Sequence, residues 1–417
     1  MGGPSAHTWE TGSIRIKGSH IQAMGPDLEP QTEDEIIDAD GRLVAPGLID
    51  LHVHLREPGR EDEETIATGT KAGAAGGFTT IVCMPNTNPP LDSGTAIEAI
   101  HSRAMSAPIR VIPVGCITKG RLGKELAEIG ELVDAGIWGI SDDGNSVLDS
   151  ELMRRALEYS RPFGIPIISH AEDPRLVGAG VMHEGFISTM LGLTGIPAEA
   201  ESVMVARDVL LAQATRSWLH IAHVSTRESI EIIAAARERG ARVTCEATPH
   251  HLVLTDEAVR GFDTNTKVSP PLRSLDHVQA LRAALAAGII DCIATDHAPH
   301  SWEEKDCDYN QAEFGLIGLE TALPLLLTHL VSPGLIDIPT LWDRMSYRPA
   351  QLLGLTDHGL GVGNRADIVI VDLNLEKEVD PADGRSLSQN TPFAGERLTG
   401  WPVVTIANGR VVFQEVD

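Results

Sequence analysis

The chain has 417 residues, 42% hydrophobic and 22% charged, the balance of an ordinary globular protein. Its formal net charge of −26 repels nucleic acid and anionic lipid at long range, and no run of about 18 apolar residues is available to span a bilayer. An anionic substrate must therefore be captured by a local positive group or by a metal, against the field of the whole molecule.

The opening segment from Met1 to Glu10 has no basic stretch followed by an apolar one. No secretory signal is read there, and a cytoplasmic location is expected. From Ser13 to Arg42 the pattern is one of short alternating strands, with turns at Lys17-Gly18-Ser19, Gly25-Pro26 and Asp40-Gly41. The segments Ala366 to Leu373 and Val403 to Phe413 read the same way, the second as a hairpin turning at Asn408-Gly409. The expected organisation is one small β domain made from residues 1–46 and 356–417, flanking a central region of residues 47–355.

Within that region apolar strand-like runs alternate with amphipathic ones, the signature of a parallel sheet with helices outside it. The runs are Leu48 to Leu55, Thr79 to Met84, Ile109 to Ile117, Gly136 to Ser141, Ile165 to His170, Trp218 to Val224, Arg242 to Ala247 and Ile289 to Thr295. Eight strands close a barrel, so the fold class is α/β and the expected architecture a (β/α)8 TIM-type barrel. Helical spacing is clear in Glu125 to Val133, Glu228 to Ala236 and His277 to Leu285. The five cysteines are widely spaced, four of them in apolar runs, and read as buried residues outside any disulfide or zinc site.

The first barrel run carries His52 and His54. A strand's two-residue period sends both imidazoles to one side, with Leu51, Val53 and Leu55 expected to pack outward. Active sites of such barrels form at the C-terminal ends of the strands. Metal-competent side chains recur there: Asp142 and Asp143 after the fourth run, His170 on the fifth, His223 on the sixth, and Asp296, His297 and His300 after the eighth. Four histidines and two aspartates form a nitrogen and oxygen donor set suited to Zn²⁺ and, less selectively, to Mn²⁺, Co²⁺ or Fe²⁺. The donors exceed what one tetrahedral ion needs, so two zinc ions per chain are expected, with one as the alternative. A metal that lowers the pKa of its bound water to about 7 supplies hydroxide at neutral pH, and Asp296 is expected to move the proton as general acid and base.

Other groups receive plainer readings. His220 has the opposite parity from His223 and is expected to be buried towards the outer helices. His250 and His251 exceed the ligand set and read as supporting or structural. Glu57, Glu61, Glu63 and Glu64 read as a solvated loop and helix start. The polar segment Ser301 to Glu313 follows the eighth strand and is a candidate cover for the site.

Taken together these motifs resemble the cyclic amidohydrolases, specifically the type I dihydroorotases. The resemblance runs through Asp50-Leu-His-Val-His-Leu-Arg-Glu-Pro-Gly59, Gly76 to Pro90, Ser169-His-Ala-Glu172, His223-Val-Ser-Thr226, Thr248-Pro-His-His-Leu252, Thr295-Asp-His-Ala-Pro-His300 and Phe314 to Ala322. It implies zinc at His52, His54, Asp143, His170, His223 and Asp296, choosing Asp143 over Asp142. It assigns Arg56, Asn86, Ser269 and His300 to the substrate, and a guanidinium at Arg56 suits two-pronged binding of a carboxylate. The implied reaction is reversible closure of N-carbamoyl-L-aspartate to (S)-dihydroorotate plus water, in pyrimidine biosynthesis.

Two departures stand out. The fourth run holds no lysine where many related amidohydrolases carry a carboxylated one, so an aspartate must take its place. Ser269 replaces the usual asparagine. The alternatives left open are a hydantoinase-like or allantoinase-like amidohydrolase and a non-catalytic partner of aspartate transcarbamoylase. A homodimer is open as well.

Overall fold

The computed structural model describes residues 10–415, so the opening segment read for a leader lies largely outside it. Ser13–Lys17 (β1) and His20–Gly25 (β2) form an antiparallel hairpin across Gly18 and Ser19. Leu43–Pro46 (β3) then runs through Gly47 directly into the first barrel strand, Leu48–Val53 (β4). A Cβ on Gly47 would sit 2.3 Å from the Thr79 side chain, so this close passage requires glycine.

The barrel continues with Phe78–Cys83 (β5), Arg110–Pro113 (β6) and Ile167–Ser169 (β7). A short parallel pair, Met182–His183 (β8) with Gly195–Ile196 (β9), lies in the connection after β7. Leu219–Ile221 (β10), Val243–Ala247 (β11) and Cys292–Ile293 (β12) complete the ring. Strands β4, β5 and β6 are parallel, as are β7, β10, β11 and β12. Two seams close the cylinder. Ile140 alone stands for the fourth strand, bridging Gly115 on one side and Ile167 on the other, and Val53 bridges His297 at the join of first and eighth. His54 N donates to the His297 carbonyl at 2.8 Å across that second join.

Ile368–Glu378 (β13), Arg397–Ala407 (β14) and Arg410–Gln414 (β15) form a four-stranded antiparallel sheet with β3 in the order β15, β14, β13, β3. The ends of the chain thus meet in one small β domain, with Ile21, Ile368, Ile370, Val404 and Ile406 in its core. Asn408 and Gly409 turn the last hairpin at φ of +51° and +74°, as the Asn-Gly pair foretold.

Helices start where side chains cap them. Thr65, Ser93, Asp149 and Thr226 each accept a backbone N–H of the first turn of Ile66–Ala75, Gly94–Ala104, Ser150–Ser160 and Arg227–Glu238. The expected helix from Glu125 is shorter, Ile129–Asp134, because Leu126 bridges Thr118 and Ala127 N donates to Ile117 O. No helix among the described residues is long and apolar enough to cross a membrane.

One face of each strand packs on the helices, through Leu48, Val53, Ile81, Ile167, Leu219, Ile221 and Ile293. The other fills the barrel with Ile49, Leu51, Val82, Met84, Trp138, Ile168, Trp218 and Ala222. Two orientation expectations are corrected here. Leu51 points inward beside Ile49, because an irregularity between Asp50 and Val53 shifts the phase of β4, so His52 and His54 both still reach the interior. His220 lies inside the barrel against Trp138, and His223, which strict alternation would send outward, is turned in by a φ of +30°.

Candidate metal centre

At the C-terminal mouth of the barrel the predicted ligands converge. His52 Nε2 lies 3.3 Å from Asp143 Oδ1 and 3.6 Å from Asp296 Oδ1. His54 Nε2 lies 3.0 Å from Asp296 Oδ1 and 3.6 Å from Asp143 Oδ2. On the other side, His170 Nδ1 and His223 Nε2 are 3.0 Å apart, and each is 3.8 Å from Asp143 Oδ1. Zn–N and Zn–O bonds near 2.0–2.2 Å put tetrahedral ligand atoms about 3.3 Å apart, which these separations bracket. Asp143 therefore lies between two ligand groups, His52 with His54 and Asp296, and His170 with His223.

The donor atoms fit a metal in a second respect. His52 Nε2 and Asp143 Oδ1 are buried without a hydrogen-bonded partner, a state that is costly unless something else satisfies them. Burial disfavours charge on both. Even so, the surrounding histidines hold the Asp143 carboxyl well below the usual range, and Asp143 with Glu246 holds His52 well above its own. Asp296 is likewise held down, burial being outweighed by His54, His52 and His223. The site is a buried, mutually compensating set of acids and imidazoles.

Backbone conformation aims three of these groups. Arg56, His223 and Asp296 have φ of +58°, +30° and +50°, a region that costs of order 1–3 kcal/mol for a residue with a side chain. Each stands where the chain leaves its strand and turns its side chain back over the mouth.

The neighbouring Asp142 takes no part in the cluster. Its carboxylate accepts from Ile117 N, Thr118 N and the Thr118 hydroxyl, tying the third strand's loop to the fourth. That loop delivers Arg121, which donates to the Asp143 carbonyl.

The expected substrate residues line a cavity of about 740 Å³ that opens on the ligands. Asn86 Oδ1 is 2.8 Å from His54 Nδ1, so its carbonyl accepts the imidazole N–H. Arg56 Nε donates to Pro299 O at 3.0 Å, and its Nη2 lies 3.3 Å from His300 Nε2. His300 Nδ1 is 3.1 Å from Glu304. The Ser269 hydroxyl donates to Glu172 Oε2 at 2.9 Å, and Glu172 faces His170 Nε2 at 3.6 Å. The segment after the eighth strand is folded against the mouth, with Trp302–Lys305 helical and Glu304 also holding Arg60 at 2.7 Å.

Four residues outside the predicted set support it. Glu63 and Glu64, expected to be solvated, are buried: Glu63 lies 2.9 Å from Arg56 Nε, and Glu64 lies 3.2 Å from His297 and accepts from the Ser386 hydroxyl. The polar run hid them, since a charge run carries no mark of which members meet a partner. Glu172 and Glu246 are the others. A carboxylate inside the apolar strand Val243–Ala247 was the available signal for Glu246. His251 bonds Thr248 and the Pro270 carbonyl, while His250 is buried beside it. The cysteines are free, and burial pushes the Cys83 and Cys245 thiols up to about 12.

Residues 41–229 match the family model described as dihydro-orotase-like. A dihydroorotase of Pelotomaculum thermopropionicum is 52% identical over 97% of this chain and 93% of its own, and one of Geotalea daltonii 50% identical over 98% and 96%. The chain belongs to the dihydroorotase family. Among solved structures it superposes on the L-hydantoinase of Arthrobacter aurescens with a TM-score of 0.86 at 28% identity, covering 97% of this chain and 93% of that one. The D-hydantoinase of a Thermus species gives 0.85 at 26%, covering 98% and 93%. Dihydroorotase family membership and a cyclic-amidohydrolase barrel thus describe one molecule.

Proposed function

We propose that this chain is an active, zinc-dependent, cytoplasmic dihydroorotase that interconverts N-carbamoyl-L-aspartate and (S)-dihydroorotate plus water, a step of pyrimidine biosynthesis. Two zinc ions would be held, one by His52, His54 and Asp296 and one by His170 and His223, with Asp143 shared. Bound there, they supply Lewis acidity for the amide carbonyl and an activated water as nucleophile.

The chain's own residues carry the remaining work. Asp296, ionised at neutral pH, takes a proton from the nucleophile and returns it to the ring nitrogen in hydrolysis, the reverse order serving cyclisation. Arg56 offers a guanidinium edge to the substrate carboxylate. Asn86 and His300 border the ring, and Ser269 completes the opposite wall. Burial at the mouth limits water other than the reactant.

The observation that carries the reading is Arg56 beside the ligand cluster, fixed by Glu63 and Pro299, in a strongly acidic protein. A hydantoin or allantoin has no carboxylate to need that cation. The test is turnover of dihydroorotate beside hydantoin and allantoin, with metal content measured on the same protein. Turnover of dihydroorotate alone is expected. Turnover of only the other two overturns the substrate, and neither metal nor turnover, even with aspartate transcarbamoylase added, overturns the enzyme in favour of a scaffold.

A further inference from the structure

Below the metal centre a line of hydrogen bonds runs down the barrel axis. His52 Nδ1 is 2.7 Å from Glu246 Oε1, Glu246 Oε2 is 3.1 Å from His220 Nε2, and His220 Nδ1 is 2.8 Å from Thr244 Oγ1. Trp218 Nε1 donates to the same hydroxyl at 3.0 Å. His52, Glu246 and His220 are essentially inaccessible, and Thr244 and Trp218 are 8% exposed. None of these partners beyond His52 belongs to the ligand set or touches the substrate cavity.

With both rings neutral, the form in which an imidazole binds a metal, one placement of hydrogens suits this line. An indole nitrogen only donates and a carboxylate only accepts. Trp218 gives its N–H to Thr244, whose own hydroxyl hydrogen then goes to His220 Nδ1. His220 must carry its proton on Nε2, which it gives to Glu246. The second oxygen of Glu246 can only accept, so His52 must carry its proton on Nδ1 and present the bare Nε2 lone pair to Asp143 and Asp296.

We infer that Glu246, His220 and Thr244 are positioning residues that fix the tautomer and ring orientation of His52 for metal binding. His220, Glu246 and Cys292 also cluster within 4.8 Å, but His220 Nε2 and both oxygens of Glu246 are already engaged in this line. A carboxylate behind a ligating imidazole raises its basicity and holds its plane, and losing one typically costs about 10–100-fold in metal affinity or activity. The line also accounts for a buried glutamate and histidine packed beside the apolar side chains of the barrel interior.

The inference rests on the metal reading above, and its test separates the two. Zinc-loaded full-length protein, Glu246→Gln and Thr244→Val are compared for zinc retained per chain against graded chelator, for the cobalt-substituted absorption spectrum, and for kcat and KM. An amide at position 246 can donate to His52 Nδ1 and so favours the wrong tautomer. Glu246→Gln should lose zinc about 10–100-fold more readily, with an altered cobalt spectrum and a fall in kcat larger than any change in KM. Thr244→Val should shift retention the same way by less. Unchanged retention and spectrum in folded Glu246→Gln overturn the inference. Should Glu246→Gln fail to fold, unchanged retention in Thr244→Val overturns it instead. A wild-type chain that takes up no zinc overturns the proposed function, and this inference with it.

Discussion

The Arg56 guanidinium lies 2.9 Å from the Glu63 carboxylate, which is only 2% exposed. A buried acid thereby pairs with a cation at the mouth of the candidate metal centre, whose Nε hydrogen is donated to Pro299 O. A long flexible side chain is held in place before any substrate arrives, so little ordering is left to binding.

Substitution of either partner should therefore appear first in substrate affinity. Arg56→Met should raise KM for dihydroorotate by about 10–100-fold, the worth of a hydrogen bond to a charged group. Glu63→Gln should raise it by less, since the cation remains but is no longer aimed. Steady-state kinetics check both, and an unchanged KM in Arg56→Met would remove it from the substrate site.

Asp296 is expected to move the proton. Asp296→Asn keeps the shape and removes the base, so kcat should fall by about 10²–10⁴-fold. Zinc content measured alongside separates lost proton transfer from lost metal.

Asp143 lies between the two ligand groups, within 3.3–3.8 Å of four imidazoles. Asp143→Ala should lose at least one metal equivalent by elemental analysis. Full retention would show that its carboxylate does not bridge.

Stability should fall in mild acid. His358 is held down from 6.5 to about 4, by burial first and by Arg110 second, and its Nε2 is 2.8 Å from the Ser346 hydroxyl. Between pH 6.5 and about 4 the unfolded chain protonates this ring and the folded chain does not. Its contribution is thus complete above pH 6.5 and is lost as pH falls towards 4, by about 3 kcal/mol at most. His183 is lowered to about 4 in the same direction, through burial and then Arg273. Denaturant midpoints at pH 7.5 and 5 should differ less in His358→Gln than in the unmodified chain.

The two ends of the chain lock together at Gly409. Its φ is +74°, and a Cβ there would lie 1.9 Å from the Gly18 carbonyl oxygen. Gly409→Ala should lower the melting temperature by several degrees, about 1–3 kcal/mol, with zinc content unchanged.

Much of this site was legible in the order of residues because barrel chemistry is delivered by strand ends. His52, His54, His170 and Asp296 each follow or end an apolar run, and a closed ring of parallel strands brings such positions to one rim. Asp143 over Asp142 was not open to parity arguments. Both follow a fourth strand reduced to the Ile140 bridges, so only the fold shows one carboxylate capping a loop and the other facing the imidazoles. Alternation also failed locally, at the irregularity in β4 and at the positive φ of His223.

The sequence by itself determined the barrel, the shared terminal β domain and the gathering of histidines and aspartates at one rim, because these follow from hydrophobic period and from where the polar residues fall along it. The tertiary structure decided which acids are buried and whom they serve. Glu63, Glu172 and Glu246 look like ordinary charges in one dimension. Glu63 and Glu172 meet Arg56 and His170 of their own strand ends through local loop folding, whereas His52 comes to Glu246 from a distant strand, and only closure of the ring brings that acid within hydrogen-bond reach of the group it orients.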